Sequence, residues 1–280
     1  MKFFDSKQLK DLYHPSFGSA GGANGQVTII GGSELFHGAP ILSLKVASRI
    51  VDMVFFASPT PSVGRVAEQF KSKLFSFIWT PWDEIDAYIE KSDSILIGPG
   101  FMRFGSERTP EDKRDYNYHD AGKKSREITE RLLKKFPEKR WVIDGGSLQV
   151  MDVDWIPENA ILTPNEKEYR LLFNDLKPSD ASKKYNCIIN AKGQENIVYS
   201  PTDCVEIPGG NAGLTKGGVG DVLAGLTVAL FAKNEPFLTA TSASFICKMA
   251  SDELYSKVGP NYNADDLADQ IPKTLHLLQS

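Results

Sequence analysis

The sequence predicts an α/β protein with a mostly parallel central sheet and helices packed on both of its faces. Three observations predict it. Several short apolar runs are continuous rather than alternating, as strands covered on both faces are. Helix-like stretches lie between these runs, and strand–helix alternation of this kind builds parallel sheets. No segment has the composition of an interdomain linker, so residues 1–280 are expected to form a single domain.

In order along the chain, strands are expected at Gln26–Ile30, Met53–Ala57, Ser94–Ile97 and Arg140–Ile143, then over 160–162, 187–189 and 197–199. Helices are expected over 40–51, 123–135, 221–232, 238–258 and 264–278. The most polar stretch is 102–124, with Arg103, Glu107, Arg108, Glu111, Asp112, Lys113, Arg114 and Asp115. It reads as a solvated surface loop; the sharper reading is a lid or subunit contact anchored by Tyr116 and Tyr118.

Composition narrows the partners. Hydrophobic residues make up 41% and charged residues 24%, enough for an ordinary buried core. The formal net charge of −4 argues against non-specific nucleic-acid binding, which needs many cationic phosphate contacts. The three cysteines, Cys187, Cys204 and Cys247, have no CxxC spacing, which fits a reducing compartment. The first fifteen residues carry Lys2, Asp5, Lys7, Lys10 and Asp11 without an apolar run, so no signal peptide is expected there. No window has the roughly 20 apolar residues of a membrane span, and the expected location is the cytoplasm.

The strongest functional signal is the stretch 211–225, in which Gly217, Gly218 and Gly220 precede Asp221 and a helical apolar pattern. Such a turn frees backbone N–H groups to converge on an anion at a helix N-terminus. Asp221 then sits beside a bound phosphate. The plainer reading is an acid capping the helix dipole, but that leaves the three glycines, Asn211 and Lys216 unexplained. Two further glycine turns follow strands: Gly31-Gly32-Ser33 with Gly38-Ala39-Pro40, and Gly98-Pro99-Gly100. Each alone is a tight bend; three at strand ends suggest one shared crevice, where open α/β sheets bind ligands. Asn165 and Glu168, three apart, read as a capping box or as polar ligands for substrate, water or Mg²⁺. Lys192-Gly193, between two strands, reads as a turn or as an ammonium and N–H on a nucleotide phosphate.

Taken together in this order, these motifs resemble the ADP- or ATP-dependent NAD(P)H-hydrate dehydratase family of the ribokinase-like superfamily. The resemblance runs from residue 25 to residue 225 and is most specific over 210–225. It implies a ribokinase-like fold, ADP or ATP with Mg²⁺ as cofactors, and hydrated NADH or NADPH as substrate. It implies Asp221 as catalytic base and substrate ligand, with Lys192, Gly193, Gln194, Glu195, Asn196, Gly218 and Gly220 on the nucleotide. Ala39, Gly100 and Asn165 would face the nicotinamide, and Glu168 is the metal candidate. It also implies a homo-oligomer, with the tetramer as the form often seen. The chain departs from the family pattern at Val219, where Thr is usual, at Asn165, where His is usual, and in the segment Asp144-Gly-Gly-Ser147-Leu148, where a second acid two residues after the first is usual. The last two bear on substrate identity and leave a small-molecule kinase of the same superfamily as the alternative enzyme. A non-catalytic nucleotide-binding protein is the reading from another class; intact Gly217 to Asp221 argues against it. The epimerase domain often fused to the family is not expected in these 280 residues.

Overall fold

The computed structural model describes residues 2–104 and 118–279. Among them the strands are β1 (Lys2–Phe3), β2 (Gln26–Ile30), β3 (Met53–Ala57), β4 (Ile78–Trp79) and β5 (Ser94–Ile97), followed by β6 (Arg140–Ile143), β7 (Ile161–Leu162), β8 (Ile188–Ala191), β9 (Asn196–Tyr199) and β10 (Cys204–Ile207). The helices are α1 (Gly38–Ala47), α2 (Pro61–Phe70), α3 (Ile85–Lys91), α4 (Tyr118–Lys135), α5 (Gly145–Val150), α6 (Glu166–Phe173), α7 (Pro178–Tyr185), α8 (Val219–Phe231), α9 (Pro236–Val258) and α10 (Ala264–Gln279).

Strand β2 shows why the apolar runs are continuous. Val27 and Ile29 enter the core cluster on one face, while the next residue, Ile30, enters the cluster on the other. Strand β6 does the same, with Val142 on one side and Trp141 and Ile143 on the other. Successive side chains of a strand point to opposite faces, so a sheet buried on both sides needs no polar positions. Helices α1, α2, α8, α9 and α10 supply the first cluster; α3, α4, α6 and α7 contribute to the second.

All strands belong to one sheet, in the order β1-β10-β9-β8-β7-β6-β5-β2-β3-β4. From β4 to β8 every pairing is parallel; β9 pairs antiparallel with β8 and with β10. The expectation of a mostly parallel sheet between helical layers therefore holds. The order reverses between β2 and β5: β3 and β4 extend to one side, β6, β7 and β8 to the other. Such a switch point opens a crevice at the carboxyl ends of the strands. The glycine turns after β2 and β5 lie there.

Some boundaries differ from expectation. The first helix runs from Gly38 to Ala47 rather than over 40–51. Residues Arg49 and Ile50 donate to carbonyls three back, and the amides of Asp52 and Met53 turn to the Gly25 carbonyl to enter β3. Strand β8 lies one residue later than expected and extends to Ala191. The polar stretch resolves into Met102, buried, and the charged start of α4. Glu107, Arg108, Glu111, Asp112, Lys113, Arg114, Asp115 and Tyr116 lie outside the described residues, and with them the lid or subunit-contact reading.

Candidate active site

Helix α8 begins on Gly218, whose φ of 90° is left-handed backbone. A Cβ there would meet Leu42 Cδ1 at 2.5 Å and Ala264 Cβ at 2.9 Å, so only glycine fits the cap. Val219 follows in the hydrophobic core, its amide donating to the Lys216 carbonyl. The Val222 amide closes the first turn onto the Gly218 carbonyl. The amides of Gly220 and Asp221 have no acceptor among the described residues, as expected of a helix start. The N-terminus of α8 thus presents two free donors.

Upstream, residues 212–215 form a short 3₁₀ turn capped by Asn211, whose Oδ1 accepts from the Gly213 amide at 2.9 Å. Asn211 is itself held by Asp252 Oδ1 at 2.8 Å and by the Tyr262 hydroxyl at 2.8 Å. Lys216 ties the turn to the Pro260 and Tyr262 carbonyls. The glycine-rich turn is therefore clamped from α9 and the loop before α10.

Lys192 arrives from the end of β8. Its amide donates to the Pro164 carbonyl at 2.9 Å, which fixes it next to Asn165. Its Nζ donates to Asp144 Oδ1 at 2.7 Å and lies 3.2 Å from where a Gly220 Cβ would stand. A side chain at residue 220 would press on that ammonium. Asp144, buried at the end of β6, also accepts from Thr163 Oγ1 at 2.6 Å. Glu168 completes the group. It is buried and forms a capping box, accepting from the Asn165 amide at 2.9 Å while Asn165 Oδ1 accepts from the Glu168 amide at 3.0 Å. Its second oxygen accepts from Gln149 Nε2 at 3.3 Å.

Three acids, Asp144, Glu168 and Asp221, thus share the field of one cation. Burial pushes Asp221 up to about 7, with the Asp144 and Glu168 charges adding to it and Lys192 pulling against. Burial also raises Glu168, with Asp144 adding and Lys192 opposing. For Lys192 burial pulls downward, but Asp144, Glu168 and Asp221 outweigh it and raise the ammonium above its ordinary value. Lys192 is therefore held charged, while Asp221 titrates near neutrality. A carboxyl with that affinity for protons is matched to general acid–base work.

On the other side, Ser43 of α1 places its Oγ 2.7 Å from the Asp221 carbonyl oxygen and 3.5 Å from that of Ala39. Ala39 is so tied to the α8 start. A Cβ at Gly100 would fall 3.2 Å from Gly32 Cα and Pro40 Cδ, which joins the turns after β2 and β5 to the beginning of α1. Gly98, at φ 113°, passes so close to the Asp144 carbonyl that a Cβ would stand 1.9 Å from its oxygen. The turns after β2, β5, β6, β7 and β8, with Gly100, Asp144, Asn165 and Lys192, lie along this carboxyl edge of the parallel strands.

A cavity of about 700 Å³ opens beside Lys192 and Gly220. The β8–β9 turn contributes Gly193, Gln194 and Asn196; the other wall is Gly209 to Ala212 and, on α9, Ser244, Cys247 and Lys248. Glu195 and Gly218 do not line it: Glu195 is exposed and Gly218 is packed under Leu42; Ala39, Gly100, Asn165, Glu168 and Asp221 also lie outside its lining. The Asn196 side-chain Nδ2 donates to Asn190 Oδ1 at 2.8 Å and to the Ala191 carbonyl at 2.9 Å, so it braces the turn. Ser147 pairs with Thr129 Oγ1 at 2.9 Å in the core. Among the described residues no three His, Cys, Asp or Glu side chains gather as a metal cage. The sequence reading missed Lys248, whose only signal was a single charge within the otherwise uncharged stretch 236–251 of α9. It gave no role to Thr163, which lies in the 162–168 segment, and none to Gln149, which carries no motif.

Comparison with known proteins adds independent findings. A family model described as NAD(P)H-hydrate dehydratase matches residues 27–273. The chain is similar to the bifunctional NAD(P)H-hydrate repair enzyme Nnr of Methanocaldococcus jannaschii, at 34% identity covering 97% of this chain and 52% of that one. It is similar at 25% identity to the ATP-dependent (S)-NAD(P)H-hydrate dehydratase of Drosophila pseudoobscura pseudoobscura, covering 89% of this chain and 85% of the relative. The chain spans about half the length of the bifunctional relatives. Among solved structures, a ribokinase-like superfamily protein from Enterococcus faecalis superposes with a TM-score of 0.80 at 18% identity, covering 100% of this chain and 97% of the other. The ADP/ATP-dependent NAD(P)H-hydrate dehydratase from Bacillus subtilis, co-crystallised with ATP/Mg²⁺, superposes with a TM-score of 0.73 at 20% identity, covering 99% and 98%. The fold is ribokinase-like.

Proposed function

This chain belongs to the NAD(P)H-hydrate dehydratase family, and from that premise we propose that it restores NADH or NADPH from the hydrated form at the expense of ADP or ATP. The observation that carries the reading is Asp221: a carboxyl raised to about 7, in the first turn of α8, beside two free amides and the Lys192 ammonium.

Asp221 takes the proton of the ring hydroxyl at carbon 6 of the hydrated nicotinamide. The freed oxygen attacks the terminal phosphorus of the nucleotide, and the bond to the leaving nucleotide breaks. Phosphate then departs from carbon 6 as a ring proton is lost, which regenerates the double bond. The amides of Gly220 and Asp221, with Lys192, hold the phosphates and stabilise charge as it develops. In this reading Ala39, Gly100 and Asn165 orient the nicotinamide. Gly193 and Gln194 flank the nucleotide, while Glu195, Asn196 and Gly218 shape the turns around it. The negative surplus of Asp144, Glu168 and Asp221 around a single lysine suits Mg²⁺. With no protein cage, that ion would take most of its ligands from phosphates and water, with Glu168 as the protein candidate. Its chemistry there is to neutralise phosphate charge.

We take residues 1–280 as one dehydratase domain, acting in the cytoplasm as a homo-oligomer, with the tetramer as the proposed form. No described helix is long and apolar enough to cross a membrane. The test is to incubate the protein with Mg²⁺, hydrated NADH or NADPH, and ADP or ATP in turn, following the absorbance of the reduced nicotinamide. Recovery of that absorbance with one phosphate released per turnover is the expected result. No recovery, with a stable phosphate ester formed on another alcohol, would replace the reading with a kinase.

A further inference from the structure

One wall of the 700 Å³ cavity is a single run of backbone between the end of β10 and the start of α8, with residues 209–212, Leu214 and Thr215 facing the space. Before its 3₁₀ turn this run has no regular structure, and Gly209 and Gly210 take left-handed φ values of 83° and 93°. Its shape has to come from what it lies on.

It lies on α9. A Cβ at Gly209 would stand 2.3 Å from Met249 Cε and 2.9 Å from Asp252 Oδ2, and one at Gly210 would stand 3.2 Å from Lys248 Cγ, so the bare backbone sits directly on the helix. The same turn of α9 holds the polar groups of the run. Lys248 Nζ donates to the Ile207 carbonyl at 2.5 Å. Asp252 Oδ2 accepts from the Gly210 amide at 2.9 Å, and its Oδ1 accepts from Asn211 Nδ2 at 2.8 Å. Ser251 Oγ accepts from that Nδ2 at 2.7 Å. Both oxygens of Asp252 are thus committed to the wall, in hydrogen bonds that the carboxylate charge strengthens. Asp252 itself does not line the cavity. The start of α8 has anchors of its own: Ser43 Oγ on the Asp221 carbonyl, and Gly218 under Leu42 and Ala264.

Resting on the reading of this cavity as the nucleotide site, we infer that Asp252 is a positioning residue for the nucleotide: it touches no ligand, and it holds residues 209–211 in the conformation that receives ADP or ATP. The sign of its effect separates this role from a purely electrostatic one. A negative charge acting only through space repels an anionic nucleotide, so its removal would tighten binding. Acting through the wall, its removal weakens binding, because a site formed only about a tenth of the time binds about tenfold less tightly. The separate anchoring of α8 confines the loss to nucleotide affinity and spares the base.

The test is isothermal titration of wild type, Asp252→Ala and Asp252→Asn with ADP and with ATP, in the presence of Mg²⁺, followed by steady-state kinetics on hydrated NADH. Asp252→Ala should raise the Kd and the KM for the nucleotide about tenfold, with kcat at saturating nucleotide within roughly twofold of wild type and the acid limb of activity unmoved. Asp252→Asn, which loses the charge but keeps one acceptor, should fall between the two. Thermal unfolding establishes that each variant is folded; if Asp252→Ala does not fold, Asp252→Asn against wild type carries the decision. Nucleotide binding that is unchanged or tighter in the folded variants overturns the inference, as does a kcat that falls while Kd stays constant. Weakened binding in a protein that fails to repair hydrated NADH supports the inference and removes the dehydratase reading. A wild type that binds neither ADP nor ATP overturns both.

Discussion

Asp221→Asn separates the chemistry of the site from its architecture. The substitution keeps the size of the side chain but removes the base. Turnover should fall by about 10²-fold or more, the range of a lost general base, while ADP or ATP still binds. The same change should stabilise the fold. The carboxyl is raised from its ordinary 3.8 to about 7 chiefly by burial, and holding it ionised at alkaline pH costs on the order of 4 kcal/mol before solvent screening. Because Asp221 keeps partial exposure, a net gain of roughly 1–2 kcal/mol in Asp221→Asn is the reasonable size. The sign follows from linkage. Below 3.8 the acid is protonated folded and unfolded alike, and the two proteins should not differ on this account. Between 3.8 and about 7 the folded state binds the extra proton, so the wild type loses stability as pH rises and the variant does not. Denaturant unfolding at pH 5 and pH 8 should show the advantage of Asp221→Asn growing with pH. The activity of the wild type should fall as pH drops through about 7, roughly tenfold for each further pH unit. An acid limb near 4, or an advantage that shrinks with rising pH, would refute the claim that burial holds this carboxyl partly protonated.

Lys192→Met should weaken binding of ADP or ATP by about tenfold or more, as a charge-assisted contact is lost, and should move the acid limb of activity upward, since Lys192 pulls Asp221 down; a limb that stays put would detach the two residues. Asn165→Ala removes half of the capping box and should cost about 1 kcal/mol of stability in denaturant unfolding; a neutral result would mean the α6 cap is dispensable. Gly98→Ala forces a Cβ to within 1.9 Å of the Asp144 carbonyl oxygen at a left-handed φ, so it should destabilise by about 2 kcal/mol or more and disturb the Asp144–Lys192 pair; wild-type thermal stability would contradict the close approach.

The fold was legible where burial imposed a rule on the sequence. Strands β2, β3, β5 and β6 announce themselves because both of their faces are covered, and α8 and α9 because most of their length is packed. The elements that escaped notice obey weaker rules. Strands β1 and β4 are two residues long, too short for any period, and β10 is only partly buried along most of its length. Helix α7 buries only Ala181 and Ser182 and is otherwise polar. Helix α2, by contrast, carried a signal that went unread: Pro61 at its first position, after Thr60, followed by an amphipathic face.

The site divides along the same line. What depends on local backbone, such as the glycine cap of α8 or the Asn165–Glu168 box, could be read from spacing of a few residues. What depends on tertiary approach could not. The Asp144–Lys192 pair joins residues 48 positions apart, and nothing near either one names the other. Yet that pair governs the chemistry more than the local motifs do. The glycine turn supplies donors for an anion, which a capping acid could equally use. Only when Asp144 engages Lys192, with Glu168 buried alongside, does Asp221 acquire two negative neighbours and a counter-charge already committed to another acid. Its raised proton affinity comes chiefly from burial, and that arrangement adds to it, so a base poised near neutrality is a property of the three loops meeting at the carboxyl edge rather than of the Gly-x-Gly-Asp segment that advertises it.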